Sequence, residues 1–115
     1  MLKILVADDE SLIRLTVSEA LRGQSHEVVA VEDGTQAIAQ LSDERFDLVI
    51  SDIRMPGHDG MEVFRKVQAE HAGTDVILMT GFGEVQSAVE ALKAGARDYL
   101  SKPVDLDELI ERVAR

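Results

Sequence analysis

Five polar residues of this sequence stand close behind short apolar runs. They are Asp8 and Asp9 after Lys3-Ile4-Leu5-Val6-Ala7, Asp52 after Leu48-Val49-Ile50, Thr80 after Val76-Ile77-Leu78-Met79, and Lys102 after Tyr99-Leu100. Three carboxylates brought within a few ångströms repel one another, and the cost is severe unless they are protonated or share a cation. Oxygen ligands without His or Cys select a hard ion, so Mg²⁺ is the natural guest; it keeps several waters and can bridge to a phosphoryl oxygen. An ammonium and a donating hydroxyl beside such an ion suit phosphoryl transfer, in which charge spreads over the equatorial oxygens. No Ser, Cys or His stands among the five as an obvious nucleophile. A carboxylate is the remaining candidate, and its product would be an acyl phosphate. Asp52 is the preferred acceptor because it stands alone, whereas Asp8 and Asp9 form a pair suited to holding metal. Spacing alone leaves that assignment open.

For these residues to meet, the apolar runs must be neighbouring strands. Lys3–Ala7 reads as a strand buried on both faces, followed by a helix from Ser11 that stops at Gly23. Its apolar positions are Leu12, Leu15 and Ala20 with Ile13, Val17 and Leu21. Val28–Val31 is a second strand, closed by Asp33-Gly34, and a short helix follows from Thr35 to Leu41. Phe46–Ser51 is the third strand; Pro56-Gly57 and Asp59-Gly60 mark a loop, and a helix through Val63, Phe64 and Val67 runs towards His71. Val76–Met79 is the fourth strand, with a helix through Val85, Ala88, Val89 and Leu92 ending at Gly95. Tyr99-Leu100 is the core of a fifth strand, and the last helix starts at Asp105 and carries Leu106, Leu109, Ile110 and Val113. Alternating strands and helices imply right-handed βαβ units, hence an α/β fold with a doubly wound, five-stranded parallel sheet and helices on both faces. Ligands of such sheets bind beyond the carboxyl ends of the strands. With strand order 2-1-3-4-5, Asp8, Asp9, Asp52 and Thr80 share one rim with Lys102 beside them, and Glu32 and Asp33 fall towards an edge.

The composition excludes much else. The 115 residues carry 12 basic and 22 acidic side chains, a net charge of −10, with 45% hydrophobic residues and no cysteine. That is one folded domain without disulfides, thiolate chemistry or Cys-ligated zinc. A pI near 4.6 argues against direct nucleic-acid binding. No apolar run is long enough to span a membrane, and the first residues lack a signal-peptide h-region, so a cytoplasmic location is expected. The final helix runs to Ala114-Arg115 without a Gly stop signal, so a longer natural gene product is expected.

Four blocks carry a family resemblance: Asp8-Asp9-Glu10, Asp52-Ile53-Arg54-Met55-Pro56-Gly57-His58-Asp59-Gly60, Thr80-Gly81 and Asp98-Tyr99-Leu100-Ser101-Lys102-Pro103. In order and spacing they resemble the receiver domain of two-component response regulators, over essentially the whole chain. The stretch from Thr80 to Ala96 is most similar to receivers fused to transcriptional output domains, including nitrogen-regulation and nitrogen-fixation types. The resemblance implies a flavodoxin-like fold and a phosphorylation switch in which Asp52 accepts a phosphoryl group from a sensor histidine kinase. It implies Mg²⁺ ligation by Asp9, Asp52 and the backbone carbonyl of Arg54, with Asp8 acting largely through water. Lys102 would pair with the phosphoryl group, Thr80 would move to hydrogen-bond it, and Tyr99 would swing into the vacated space. A cis Lys102–Pro103 bond, an output domain or downstream protein, and a possible homodimer on phosphorylation are implied as well. Gly81 stands where Ala is common, and His58 where Met is frequent. Arg54 and Phe82 occupy the positions that tune acyl-phosphate hydrolysis; Phe82 cannot orient an attacking water, so a long-lived phosphorylated state is expected.

The plainer readings are surface acids at Asp43, Asp59, Asp75, Glu108 and most other positions, a helix cap at Asp8-Asp9, a simple strand end at Thr80, ordinary packing at Tyr99, and surface positions for His26, His58 and His71. Gly81-Phe82-Gly83 lacks the third glycine of a dinucleotide fingerprint. The enzymatic alternative is an aspartyl-nucleophile, metal-dependent phosphohydrolase, but that class uses Asp-x-Asp after the first strand and extra residues for a cap. A flavodoxin-like electron carrier needs flanking aromatics, which are only 3% of this chain. A receiver that binds partners without phosphorylation would not need all of Asp8, Asp9, Asp52, Thr80 and Lys102.

Overall fold

The computed structural model describes all 115 residues. Along the chain run β1 (Lys3–Ala7), α1 (Ser11–Arg22), β2 (Glu27–Val31), α2 (Gly34–Asp43), β3 (Leu48–Asp52), α3 (Gly60–Glu70), β4 (Asp75–Thr80), α4 (Val85–Ala94), β5 (Asp98–Ser101) and α5 (Leu106–Ala114). The five strands are parallel in the order β2-β1-β3-β4-β5, as expected.

The strands are apolar throughout because both sheet faces are covered. Successive side chains alternate between the faces. Leu5, Val49 and Leu78 join residues of α2, α3 and α4 in one core, whereas Ile4, Ile50, Ile77 and Leu100 join α1 and α5 in the other.

Several local expectations are corrected. Helix α1 buries Val17, Ser18 and Leu21, while Leu12 and Leu15 stay 70% and 57% exposed. A helix that carries two apolar stripes can turn only one to the sheet, and Val17 and Leu21, one turn apart, take it. Gly23 is right-handed (φ −62°), and the left-handed residue of that turn is Ser25 (φ 67°). Gly95, in contrast, ends α4 in the left-handed region at φ 118°, as a terminal glycine should. Strand β3 starts two residues later than expected, at Leu48, and extends to include Asp52; Phe46 is buried outside it.

Asp59 is not a solvated acid. It caps α3, its carboxylate accepting from the Glu62 N–H at 2.9 Å while Glu62 accepts from the Asp59 N–H at 3.0 Å. His26 is half-buried rather than superficial: its Nδ1 accepts from the Leu2 N–H at 3.0 Å, which places the ring proton on Nε2.

The loop from Asp52 to Gly60 is held from two sides. Gly60 donates its N–H to the Ile53 carbonyl at 2.8 Å. A Cβ on Gly60 would lie 2.2 Å from the Asp52 carbonyl oxygen, and one on Gly34 would lie 1.7 Å from that of His58. Gly60→Ala must therefore push the end of β3 away from α3. Urea denaturation is expected to show a loss of roughly 2–3 kcal/mol, and a loss under about 0.5 kcal/mol would contradict this packing.

Candidate functional site at the strand tips

Strand alternation puts the central acids together. Ala7 pairs with Ser51 in the β1–β3 register, so the next residues, Asp8 and Asp52, are side by side. Asp8 continues the even-numbered series of Ile4 and Val6, and Asp52 that of Leu48 and Ile50, so both project from the α1/α5 face. Lys102, two residues past Leu100, reaches the same place. Its Nζ lies 3.0 Å from Asp8 Oδ2, 3.2 Å from Asp52 Oδ2 and 3.2 Å from Glu10 Oε1. The Lys102–Pro103 bond that follows is cis.

Burial sets the electrostatics. Asp8 is fully buried and Asp52 is 5% exposed. Burial pushes the Asp52 carboxyl up to about 6; Lys102 opposes that shift, and the neighbouring Asp8 charge adds to it. Burial also works against the Lys102 ammonium, but its bonds to Asp8 and attraction to Asp52 prevail and raise its pKa above the usual lysine value.

Asp8 does double duty. Its Oδ1 accepts from the Glu10 N–H at 2.8 Å, closing the turn before α1, while Glu10, the residue that caps α1, makes no side-chain cap. Asp8 Oδ2 is buried and faces the Lys102 ammonium at 3.0 Å, a cation it shares with Asp52 and Glu10. Three carboxylates around one ammonium leave the group net negative, and a further cation would relieve it. The acids whose oxygens lie within 4.8 Å of one another are Asp8, Glu10 and Asp52, a set able to hold a metal ion. Asp9, expected as a direct ligand, is exposed at the edge of this group and lines the same pocket as Asp52, Arg54 and Lys102.

The remaining expected residues surround this centre. Thr80 is buried at the tip of β4, its hydroxyl only loosely engaged with the Leu100 carbonyl at 3.5 Å. Tyr99 is half-buried, packed against the core on the α2/α3/α4 side. Phe82 stands wholly in solvent. Two site residues escaped the sequence reading. Glu10 shares Lys102, and Glu84, 6% exposed, pairs with Arg54, its Oε2 lying 2.7 Å from Arg54 Nε. Asp8-Asp9-Glu10 showed a third acid beside the pair, but nothing near Glu84 signals its partner on another loop.

A doubly wound sheet with acids and a lysine at its strand tips belongs to a known class. The model of the response regulator receiver domain matches residues 4–114, and the chain belongs to that family. It is 41% identical over 113 residues to the response regulator protein FleR of Pseudomonas aeruginosa, covering 98% of this chain and 24% of that protein. It is 39% identical over 110 residues to the DNA-binding transcriptional regulator NtrC of Salmonella typhimurium, covering 96% and 24%. The chain thus spans about a quarter of the length of these relatives. A receiver domain protein from Clostridium thermocellum superposes with a TM-score of 0.93 at 33% identity, covering 99% of this chain and 92% of that one. The receiver domain of NtrX from Brucella abortus gives 0.91 at 34% identity, covering 97% and 95%. The similarity to nitrogen-regulation receivers holds. No helix is long and apolar enough to cross a membrane.

A carboxyl whose pKa is raised on folding, from 3.8 to about 6, binds more protons in the native than in the unfolded state between those values. Stability in the absence of metal should therefore fall as pH rises through that window, by on the order of 2–3 kcal/mol in full. Asp52→Asn is expected to recover that amount at pH 7 in chelator, measured by denaturant unfolding. Equal stability of the two proteins there would contradict the assignment.

Proposed function

We propose that this domain is a phosphorylation-controlled switch in which Asp52 accepts a phosphoryl group from a phosphohistidine of a sensor histidine kinase. An Asp52 oxygen attacks phosphorus, a P–O bond forms as the P–N bond breaks, and the imidazole leaves with the bonding pair and takes up a proton. The observation that carries this reading is the buried Asp52 carboxylate at the end of the central strand, 3.2 Å from an ammonium that it shares with the buried Asp8.

Asp8, Asp9, Asp52 and the backbone carbonyl of Arg54 would hold Mg²⁺, which supplies neutralising charge for the transferred group. Lys102 holds the acceptor in place and would pair with the phosphoryl oxygens. Thr80, with its hydroxyl loosely held, would turn to donate to them, and Tyr99, half in and half out of the core, would follow it inward. Phosphorylation then biases two conformations of the domain. The readout would be an output domain or downstream protein that controls transcription, with a homodimer as one form of the active state. The relatives named above, regulators in which such a domain is about a quarter of the length, support that placement within a longer protein.

Beryllofluoride, an acyl-phosphate mimic, is expected to bind at one site per chain only with Mg²⁺ present, and Asp52→Ala should abolish the bound fluorine NMR signals. Binding that survives Asp52→Ala would overturn the acceptor assignment.

The exposed Phe82 ring offers no group to orient water at the modified carboxylate, so the acyl phosphate should be long-lived. Phe82→Gln is expected to speed phosphate release several-fold after labelling with acetyl phosphate. An unchanged rate would contradict that role.

A further inference from the structure

The loop between β4 and α4 inverts the usual rule of burial. It holds the Phe82 ring in open solvent and buries the Glu84 side chain to 7% exposure. Buried acids are rare unless paired, and Glu84 is paired twice. Its Oε1 accepts from the Gly81 N–H at 2.6 Å, and its Oε2 lies 2.7 Å from Arg54 Nε. The first bond closes the turn that follows Thr80, with the Glu84 N–H donating back to the Gly81 carbonyl at 3.3 Å. The second crosses to the loop that follows Asp52. Glu84 also caps α4, whose first helical bond runs from the Ala88 N–H to the Glu84 carbonyl at 3.2 Å.

We propose that Glu84 and Arg54 form a charged strap across the mouth of the Asp52 pocket, closed in the unmodified domain and opened when the modified aspartate competes for Arg54. The inference rests on Asp52 being the phosphoacceptor. The pocket is lined by four acids, Asp9, Glu10, Asp52 and Glu84, against two cations, Arg54 and Lys102. Lys102 is already shared among carboxylates. A phosphoryl group adds further negative charge and strong acceptor oxygens, for which a guanidinium is a well-matched donor. The same charge repels Glu84. Both effects draw Arg54 off Glu84 and leave a buried acid without its cation, a state relieved when the first turn of α4 loosens and Glu84 reaches water. Glu84 is thus a positioning residue that couples the pocket to α4.

Amide hydrogen exchange over residues 81–88, with global stability measured on the same samples, tests the strap. In the unliganded domain, Glu84→Gln keeps an acceptor for Gly81 but loses the ion pair, and Arg54→Gln loses it from the other side. Each is expected to exchange about five-fold faster than wild type, as loss of a charge-assisted pair implies, and the double variant no faster than either. Arg54→Lys, which keeps the charge, should restore most of the protection. In wild type, beryllofluoride with Mg²⁺ should produce the same acceleration, and in Glu84→Gln it should add nothing.

Wild-type protection in both Gln variants, additive effects in the double variant, or bound mimic with unchanged exchange would overturn the strap alone. Failure of wild type to bind the mimic would overturn the acceptor reading and the opening of the strap together, while the closed strap is still judged on the unliganded proteins.

Discussion

At the centre of the sheet, buried carboxylates share a single ammonium. Asp8 and Asp52 are set side by side by the β1–β3 register, and Lys102 reaches both from the end of β5. One positive charge cannot neutralise the group: Asp52 remains harder to ionise than an ordinary aspartate, and Lys102 is shared with Asp8 and Glu10. The fold therefore holds an electrostatic deficit at the place where a small cation, and then a phosphoryl group, would be stabilised most. Everything around the pocket bears on keeping that deficit in place.

The rest of the architecture supplies rigidity on one side and freedom on the other. The end of β3 is pinned by the close approach of Gly60 to the Asp52 carbonyl, and the loop beyond it rests against the start of α2 at Gly34. The capping box of Asp59 and Glu62 fixes where α3 begins. Across the pocket the turn after Thr80 is tied by Glu84 to Gly81 and Arg54, while the side chains that would move are held more lightly. Thr80 has a loose hydroxyl contact, Tyr99 is only half-buried, and the turn after Thr80 contains two glycines, of which Gly83 is left-handed at φ 86°. A firm Asp52 facing a more pliant Thr80 and Tyr99 is the division of labour that the proposed switch would require.

Much of this was legible in the sequence because buried parallel strands are written as uninterrupted apolar runs, and the residue after each run must lie at the rim. That logic put Asp8, Asp52, Thr80 and Lys102 at strand ends, and the order 2-1-3-4-5, taken as a condition, put them side by side. It failed where placement depends on which surface meets which. Leu12 and Leu15 are as apolar as Val17 and Leu21, and only the docking of α1 decides between the two stripes. Glu84 looks like any surface acid until Arg54 arrives from another loop, and His26 looks superficial until the Leu2 N–H meets its ring. Asp59 is different, since the Asp59-Gly60-Met61-Glu62 pattern is a capping-box signal that could have been read in advance.

The most direct test of the central claim is calorimetric titration of the domain with Mg²⁺ alone. Saturable binding of one ion per chain, weakened in Asp8→Asn and abolished in Asp52→Asn, is the predicted result. Binding that is absent in wild type, or equally strong in both variants, would show that the strand-tip carboxylates do not need the ion and would contradict the account.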